Sequence, residues 1–318
     1  MRKATPLPRK AVTALLVAST IGAVTGLAPL AASASAPDST ATGSWQKGLY
    51  AFDFGLEVNK AITVHVLKRL FEDSDLSVVD RHIRPDYIQH NPLAPNGTEA
   101  LKAFAGPLAT QFPDLKYDIK RVVAEGDLVL VHSNVVFTPG ARGSAVVDIF
   151  RFDRNHMIAE HWDAAQDVPA TTVSGNDMFS TVSSPQTNRP GPRHQTESSK
   201  AVATEYFDRL LVRKDPGAVE YLAPEYHQHN PAIPSGSAGL REQFTAFFQA
   251  FPQLTVERKR VIAEGDLVAV HAHYRLTPSD RGQSVVDIFR VGKDGKIVEH
   301  WDVVQDVPAT SANDNTMF

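Results

Sequence analysis

Hydrophobic spacing divides the second half of the chain into two kinds of segment. In KAVATEYFDRLLVRKD (200–215) apolar residues recur at helical intervals, with Tyr206, Leu210 and Leu211 on one face. A short helix is expected around Pro216 to Leu222. AGLREQFTAFFQAF (238–251) predicts a third, closed by Pro252. Four extended runs follow: LTVERKRVIAEG, DLVAVHAHYRLT, QSVVDIFRVG and KIVEHWDVVQDV. Gly265–Asp266 and the LysAspGlyLys stretch at 293–296 punctuate them as turns. Helices first and a strand meander afterwards predict an α+β unit, with helices packed on one side of a bent antiparallel sheet.

The pattern occurs twice. IAEHWDAAQDVPAT at 158–171 returns as IVEHWDVVQDVPAT at 297–310, an offset of 139 (297 against 158). At the same offset YIQHNP (87–92) matches YHQHNP (226–231), RVVAEGDLVLVH (121–132) matches RVIAEGDLVAVH (260–271), and VVDIFR recurs at 146–151 and 285–290. The helical segments have drifted while the strand motifs have not. Each copy is far longer than a solenoid repeat and can hold its own core, so this is a tandem duplication of one domain. The domains are expected at 58–179 and 198–318. The Ser-, Thr- and Pro-rich stretch at 180–197 is expected to be a flexible linker, as is 37–57.

The N-terminus has a different layout. A basic MRKATPLPRK, an apolar stretch to Ala32 and the small residues up to Ala36 predict a secretory signal peptide over 1–36, cleaved after Ala34 or Ala36, with Ala34 preferred because Pro37 would sit badly just after the later cut. Gly22, Gly26 and Pro29 argue against a spanning anchor. The mature protein is therefore expected to be secreted, with no membrane association after cleavage. A net charge of −4 advertises neither nucleic acid nor an anionic membrane as a partner. With no cysteine, thiol nucleophiles, disulfides and Cys-based metal sites are excluded. No Gly-rich phosphate loop and no G-x-S-x-G occurs, so nucleotide cofactors and a serine nucleophile are unsupported.

Strand phase selects the candidate chemistry. Val285, Asp287 and Phe289 share one face and Val286, Ile288 and Arg290 the other. Asp287 therefore sits among apolar neighbours, as a pocket carboxylate or as a structural one bound to an arginine or histidine. His300 and Asp302 point one way; Glu299 and Trp301 point the other. His271 shares a face with His273 and Ala269, and either histidine could reach a pocket or lie satisfied in the core. Tyr226 and Gln228 could hydrogen-bond a bound carbonyl. The equivalents in copy one are Asp148, His161, Asp163, Tyr87, Gln89, His90 and His132. The histidines lack HExxH spacing, and no metal site is expected.

Helices before a curved sheet, HNP after the second helix and a terminal GKIVEHWD together resemble the SnoaL-like family. That family belongs to the nuclear transport factor 2-like superfamily of cone-shaped α+β barrels. VVDIFR, GKIVEHWD and the closing VP and N-x-MF resemble its polyketide cyclase and aldol-condensation branch. The resemblance implies two tandem barrels that mimic the family homodimer as an intramolecular pseudo-dimer. It places His300 and Asp302 toward the cavity, with Asp302 and Asp163 at the position of the family's acid/base aspartate and His229 at the cavity mouth. The implied activity is cofactor-free acid/base chemistry, aldol cyclisation or isomerisation, on a small hydrophobic carbonyl compound. Asp302 would act with His300 and Asp287. The alternative is a secreted module that binds an apolar ligand without changing it. Copy two is expected to be the working one. Copy one has Pro107 inside its third helix, ArgAsnHisMet in place of the LysAspGlyLys turn, and Asn134 where copy two has His273.

Overall fold

The computed structural model of the protein describes residues 45–318, with side chains from Phe54 onward. The expected signal peptide lies outside the described residues. No helix among them is long and apolar enough to cross a membrane.

Copy one runs α1 (Trp45–Phe71), α2 (Ser77–His82), β1 (Ile83–Gln89) and α3 (Thr98–Gln111). Strands β2 (Lys116–Glu125), β3 (Leu128–Val136), β4 (Ser144–Phe152) and β5 (Ile158–Asp167) complete it. Copy two repeats the order with α4 (Thr196–Phe207), which continues into a π turn over Asp208–Val212, and a 3₁₀ turn (Pro216–Tyr221). Then come β6 (Leu222–Gln228), α5 (Leu240–Ala250), β7 (Thr255–Glu264), β8 (Leu267–Arg275), β9 (Gln283–Val291) and β10 (Ile297–Asp306). Each half is an α+β cone with a five-stranded sheet, ordered β1-β5-β4-β3-β2 and β6-β10-β9-β8-β7.

Several local features follow from single residues. Asp215 accepts the Gly217 N–H at 2.8 Å and Pro216 supplies a preset φ, so the 3₁₀ turn starts there. Gly295 closes the β9–β10 turn with φ +74°. The matching residue of copy one, His156, adopts φ +59° and anchors its ring nitrogen to Asn59 at 2.7 Å, so this turn survives without glycine. Helix α3 likewise runs through Pro107.

Three features differ from the sequence expectations. The YIQ and YHQ segments are short strands that pair parallel with the last strand of each sheet, so HNP follows an edge strand rather than a helix. Helix α1 begins at Trp45, inside the stretch read as linker. The 180–197 stretch is docked along copy two rather than loose. The buried Arg290 guanidinium donates to the carbonyls of Pro185 and Thr187, Glu299 accepts from the Val182 N–H, and Asp266 accepts from the Gly191 N–H. At Gly265 a Cβ would lie 2.2 Å from the Gly191 oxygen, so this close approach requires glycine.

Each sheet buries both faces. The inner faces carry the helices and two separate cores. The outer faces meet in a third core, which joins Leu130, Val147, Ile149 and Trp162 to Ala269, Val286, Ile288 and Trp301. The contacts across it are reciprocal. Glu125 accepts the Ala263 N–H and Glu264 the Ala124 N–H, each at 2.9 Å. Arg121 lies 3.6 Å above the Trp301 ring, and Arg260 lies 3.9 Å above Trp162. Residues after β5 and β10 also exchange: Asn176 donates to the Gln228 carbonyl, and Asn315 donates to that of Gln89.

Candidate active site

Strand register sets two carboxylates side by side. Asp287 on β9 is directly opposite Asp302 on β10, and His300, two residues back on β10, shares their face. Register with β8 puts Val270 opposite Asp287, on the side toward the helices. All three polar residues line a cavity of about 350 Å³ between sheet and helices. The far wall is apolar, with Leu210, Leu211, Ile233, Phe244 and Phe247.

The hydrogen bonds at the polar end determine proton positions. Gln228 Oε1 accepts the backbone N–H groups of His229 (2.9 Å) and Asn230 (2.8 Å), which fixes it as the oxygen. His300 Nδ1 lies 2.8 Å from that oxygen and must carry a proton. His300 Nε2 faces Asp287 Oδ1 at 2.9 Å. Burial alone would favour the neutral ring, but the bond to Asp287 and the charge of Asp302 outweigh it. The His300 pKa therefore stands above its ordinary value.

Asp302 is the free group. Its Oδ2 accepts from Asn230 Nδ2 at 2.5 Å, while its Oδ1 is buried without a hydrogen-bond partner. Burial lifts its carboxyl to about 6, with His300 pulling down and Asp287 pushing up. The Tyr226 hydroxyl accepts from Gln228 Nε2 at 3.0 Å and keeps its own proton free to donate. Burial holds that phenol well above its usual pKa, so it stays protonated.

Copy one reproduces the arrangement. His161 bridges Gln89 Oε1 (2.9 Å) and Asp148 Oδ1 (3.0 Å). Asn91 donates to Asp163 Oδ2 at 2.6 Å, Asp163 Oδ1 is unpartnered, and burial lifts this carboxyl to about 6 as well. Its cavity is smaller, about 100 Å³, with Phe71 stacked on Tyr117 and Phe104 in the wall.

The expected site residues thus divide. Asp302, His300, Asp287, Tyr226 and Gln228 converge on one cavity. Asp163, His161, Asp148, Tyr87 and Gln89 converge on the other. The four remaining histidines line neither, a correction with one physical cause. Side chains alternate along a strand, and these four have the opposite phase. His229 and His90, one residue past Gln228 and Gln89, turn into the contact between the sheets. His229 bonds Glu299 (2.8 Å) and the Asp177 carbonyl and stacks on Trp301. His90 does the same with Glu160 (2.7 Å), the Thr316 carbonyl and Trp162. His271 and His132 each accept an arginine N–H at Nδ1, from Arg260 and Arg121. Burial, and then the adjacent guanidinium, push both rings well below their ordinary pKa.

Asn230 and Asn91 were missed, although each lies two residues beyond a glutamine already on the pocket face. Tyr274 and Tyr117, which donate to Asp287 and Asp148, were also missed. Only strand register reveals them.

One ligand atom each from Asp287, His300 and Asp302 falls within 4.8 Å of the others, and the same holds for Asp148, His161 and Asp163. This spacing suits a cation, but the donor chemistry does not. Both nitrogens of each histidine face oxygen acceptors, leaving no lone pair for a metal.

The SnoaL-like domain family matches the chain twice, over 65–161 and 203–300. Among curated proteins none matches. Similar solved structures include a candidate polyketide cyclase from Acidithiobacillus ferrooxidans, at 22% identity over 34% of this chain and 87% of that one, with a TM-score of 0.30. TsrD from Streptomyces laurentii shares 23% identity over 34% and 89%, TM-score 0.29. A candidate ketosteroid isomerase from Kribbella flavida shares 22% over 36% and 82%, TM-score 0.31.

Proposed function

Because the chain belongs to the SnoaL-like family, with one domain in each half, we propose that copy two performs acid/base chemistry on a small apolar carbonyl compound without a cofactor. The supporting observation is Asp302 Oδ1, an unpartnered carboxylate oxygen at the polar end of an apolar cavity. A carboxyl lifted to about 6 is ionised at neutral pH yet more basic than an exposed aspartate. It takes the proton from the carbon beside the substrate carbonyl. The C–H electron pair moves into the new C=C bond of an enolate, and the carbonyl oxygen takes the negative charge. The Tyr226 O–H donates to that oxygen, and the neighbouring His300 imidazolium stabilises the charge through space. Asp302 then returns its proton to a second carbon, giving an isomerisation. In the aldol version the enolate carbon attacks a second carbonyl carbon, and the proton goes to the new alkoxide.

Hydrogen–deuterium exchange tests this reading. Small ketones and diketones incubated with the protein in D₂O are followed by NMR for loss of the α-proton signal. Wild type should accelerate exchange. Asp302→Asn should lower the rate by about 100-fold or more, and Asp163→Asn should lower it much less, because the copy-one cavity holds little. Equal losses would make both pockets active. Ligand binding without exchange in wild type would favour the binding-module reading, which the apolar wall supports. We also propose export, from the N-terminal layout. N-terminal sequencing of the protein from culture medium should begin at Ser35.

A further inference from the structure

The two copies deliver a tyrosine hydroxyl to the same carboxylate oxygen from different strands. In copy two Tyr274 on β8 donates to Asp287 Oδ2 at 2.9 Å. In copy one Tyr117 on β2 donates to Asp148 Oδ2 at 2.5 Å. These tyrosines are not equivalent by sequence. At the repeat offset Tyr117 corresponds to Val256, and Tyr274 corresponds to Val135. Yet Tyr117 pairs across strands with Val135, and Val256 pairs with Tyr274. The cross-strand pair is Tyr/Val in one copy and Val/Tyr in the other.

Packing alone accounts for one large and one small residue at this pair. Phenylalanine would serve packing equally well. It does not account for a hydroxyl that reaches one particular oxygen from either side. We infer that Tyr274, and Tyr117 in copy one, are positioning residues that hold the aspartate carboxylate in the plane where its Oδ1 meets the histidine. Asp287 Oδ1 is occupied by His300 Nε2, and Oδ2 depends on the phenol. Among the described residues, no lysine or arginine lines either cavity. The other titratable groups facing the Asp287–His300 pair are Asp302 on β10, Tyr226 on β6 and Tyr206 on α4. In copy one they are Asp163 and Tyr87. The tyrosine therefore orients the aspartate, the aspartate holds the proton on His300, and the imidazolium sets the field at Asp302. This last link rests on the acid/base reading above, whereas the first can be measured without any substrate.

The test uses the full mature chain and the ring-nitrogen NMR signals of His300, assigned with His300→Gln. Without the phenol the carboxylate is free to turn away from the ring, and the bond that holds the proton on His300 weakens. Tyr274→Phe should therefore release that proton sooner and move the His300 titration downward by about one pH unit. The exchanged pair, Tyr274→Val with Val256→Tyr, should bring the titration back toward wild type. If ketone exchange is measurable, Tyr274→Phe should lower kcat more than it raises KM. A His300 titration unchanged in Tyr274→Phe overturns the inference. So does an exchanged pair that folds, by circular dichroism, yet fails to restore it. If the double variant does not fold, Tyr117→Phe read at His161 decides: a shift supports the inference and no shift overturns it. A wild type without exchange activity would sink the acid/base reading and leave the titration result intact.

Discussion

Asp302 and Asp287 face each other directly across neighbouring strands, a pairing that is unfavourable when both are charged. The folded chain keeps this arrangement with His300 and single hydrogen bonds from Asn230 and Tyr274 to offset it, and burial outweighs them at Asp302, which has a consequence for stability. The Asp302 carboxyl stands at about 6 when folded, against about 4 in an unfolded chain. Between those values the folded state binds more protons than the unfolded one, so stability falls as pH rises through this window. Above it the folded state carries a penalty of about 3 kcal/mol. His300 contributes with the same slope. Its raised pKa adds stability that is fully present below the unfolded value, about 6.5, and is lost as pH rises through the folded one. Asp302→Asn keeps an oxygen for Asn230 and removes the charge. It should raise the melting temperature by a few degrees at pH 7.5 and leave it nearly unchanged at pH 4. Thermal melts at the two pH values check this. Equal shifts at both would mean that the carboxylate is not strained by its charge.

At the scale of the element, edge strand β6 carries two functions on alternate residues. Tyr226, Gln228 and then Asn230 serve the cavity, while His229 serves the contact between the sheets. Glu299 shows how fully that outer contact is satisfied. Burial pushes its carboxyl up, but bonds from His229, Ser183 and the Val182 N–H outweigh this and hold it below the ordinary value. His229→Ala removes a stacked ring and leaves a buried carboxylate short of a donor. It should cost about 2–4 kcal/mol of stability, and the folded fraction should keep its ketone exchange rate. Denaturant melts with activity measured per folded molecule check both parts. A loss of rate with unchanged stability would return His229 to the cavity. The period-two rule was available in the sequence and already put Glu299 opposite His300. It was not extended to His229, because PEYHQ, short, polar and begun by a proline, does not look like a strand.

On the whole-molecule scale the two sheets share a core that neither half can close alone. A fragment spanning 180–318 would expose Trp301, Ile288, Val286 and Ala269 together, a contiguous apolar face. It should therefore self-associate, and light scattering after size exclusion should report a dimer or larger species. Residues 45–318 should behave as a monomer, with a compact single-particle profile in small-angle scattering. A monomeric fragment, or an extended two-lobed profile for 45–318, would show that the shared core contributes little.

The sequence by itself determined the duplication, the α+β order and the alternation that separates Asp287 from Ile288 and His300 from Trp301. Each depends only on repeat spacing and on the two-residue period of a strand. It also singled out both Asp–His–Asp sets, because a polar residue repeated inside an apolar strand stands out without coordinates. Strand phase left open which face is the cavity, since both faces of these strands are buried and look equally apolar along the chain; the family resemblance pointed to the face of His300 and Asp302, and the tertiary structure puts them there. Tertiary structure alone decided that four histidines belong to the contact between the sheets. It decided too that Tyr274 and Tyr117, at non-equivalent positions, meet equivalent aspartates. Strand register is set by packing across the sheet, and the relation between residues on neighbouring strands is not written in the order of residues along one strand.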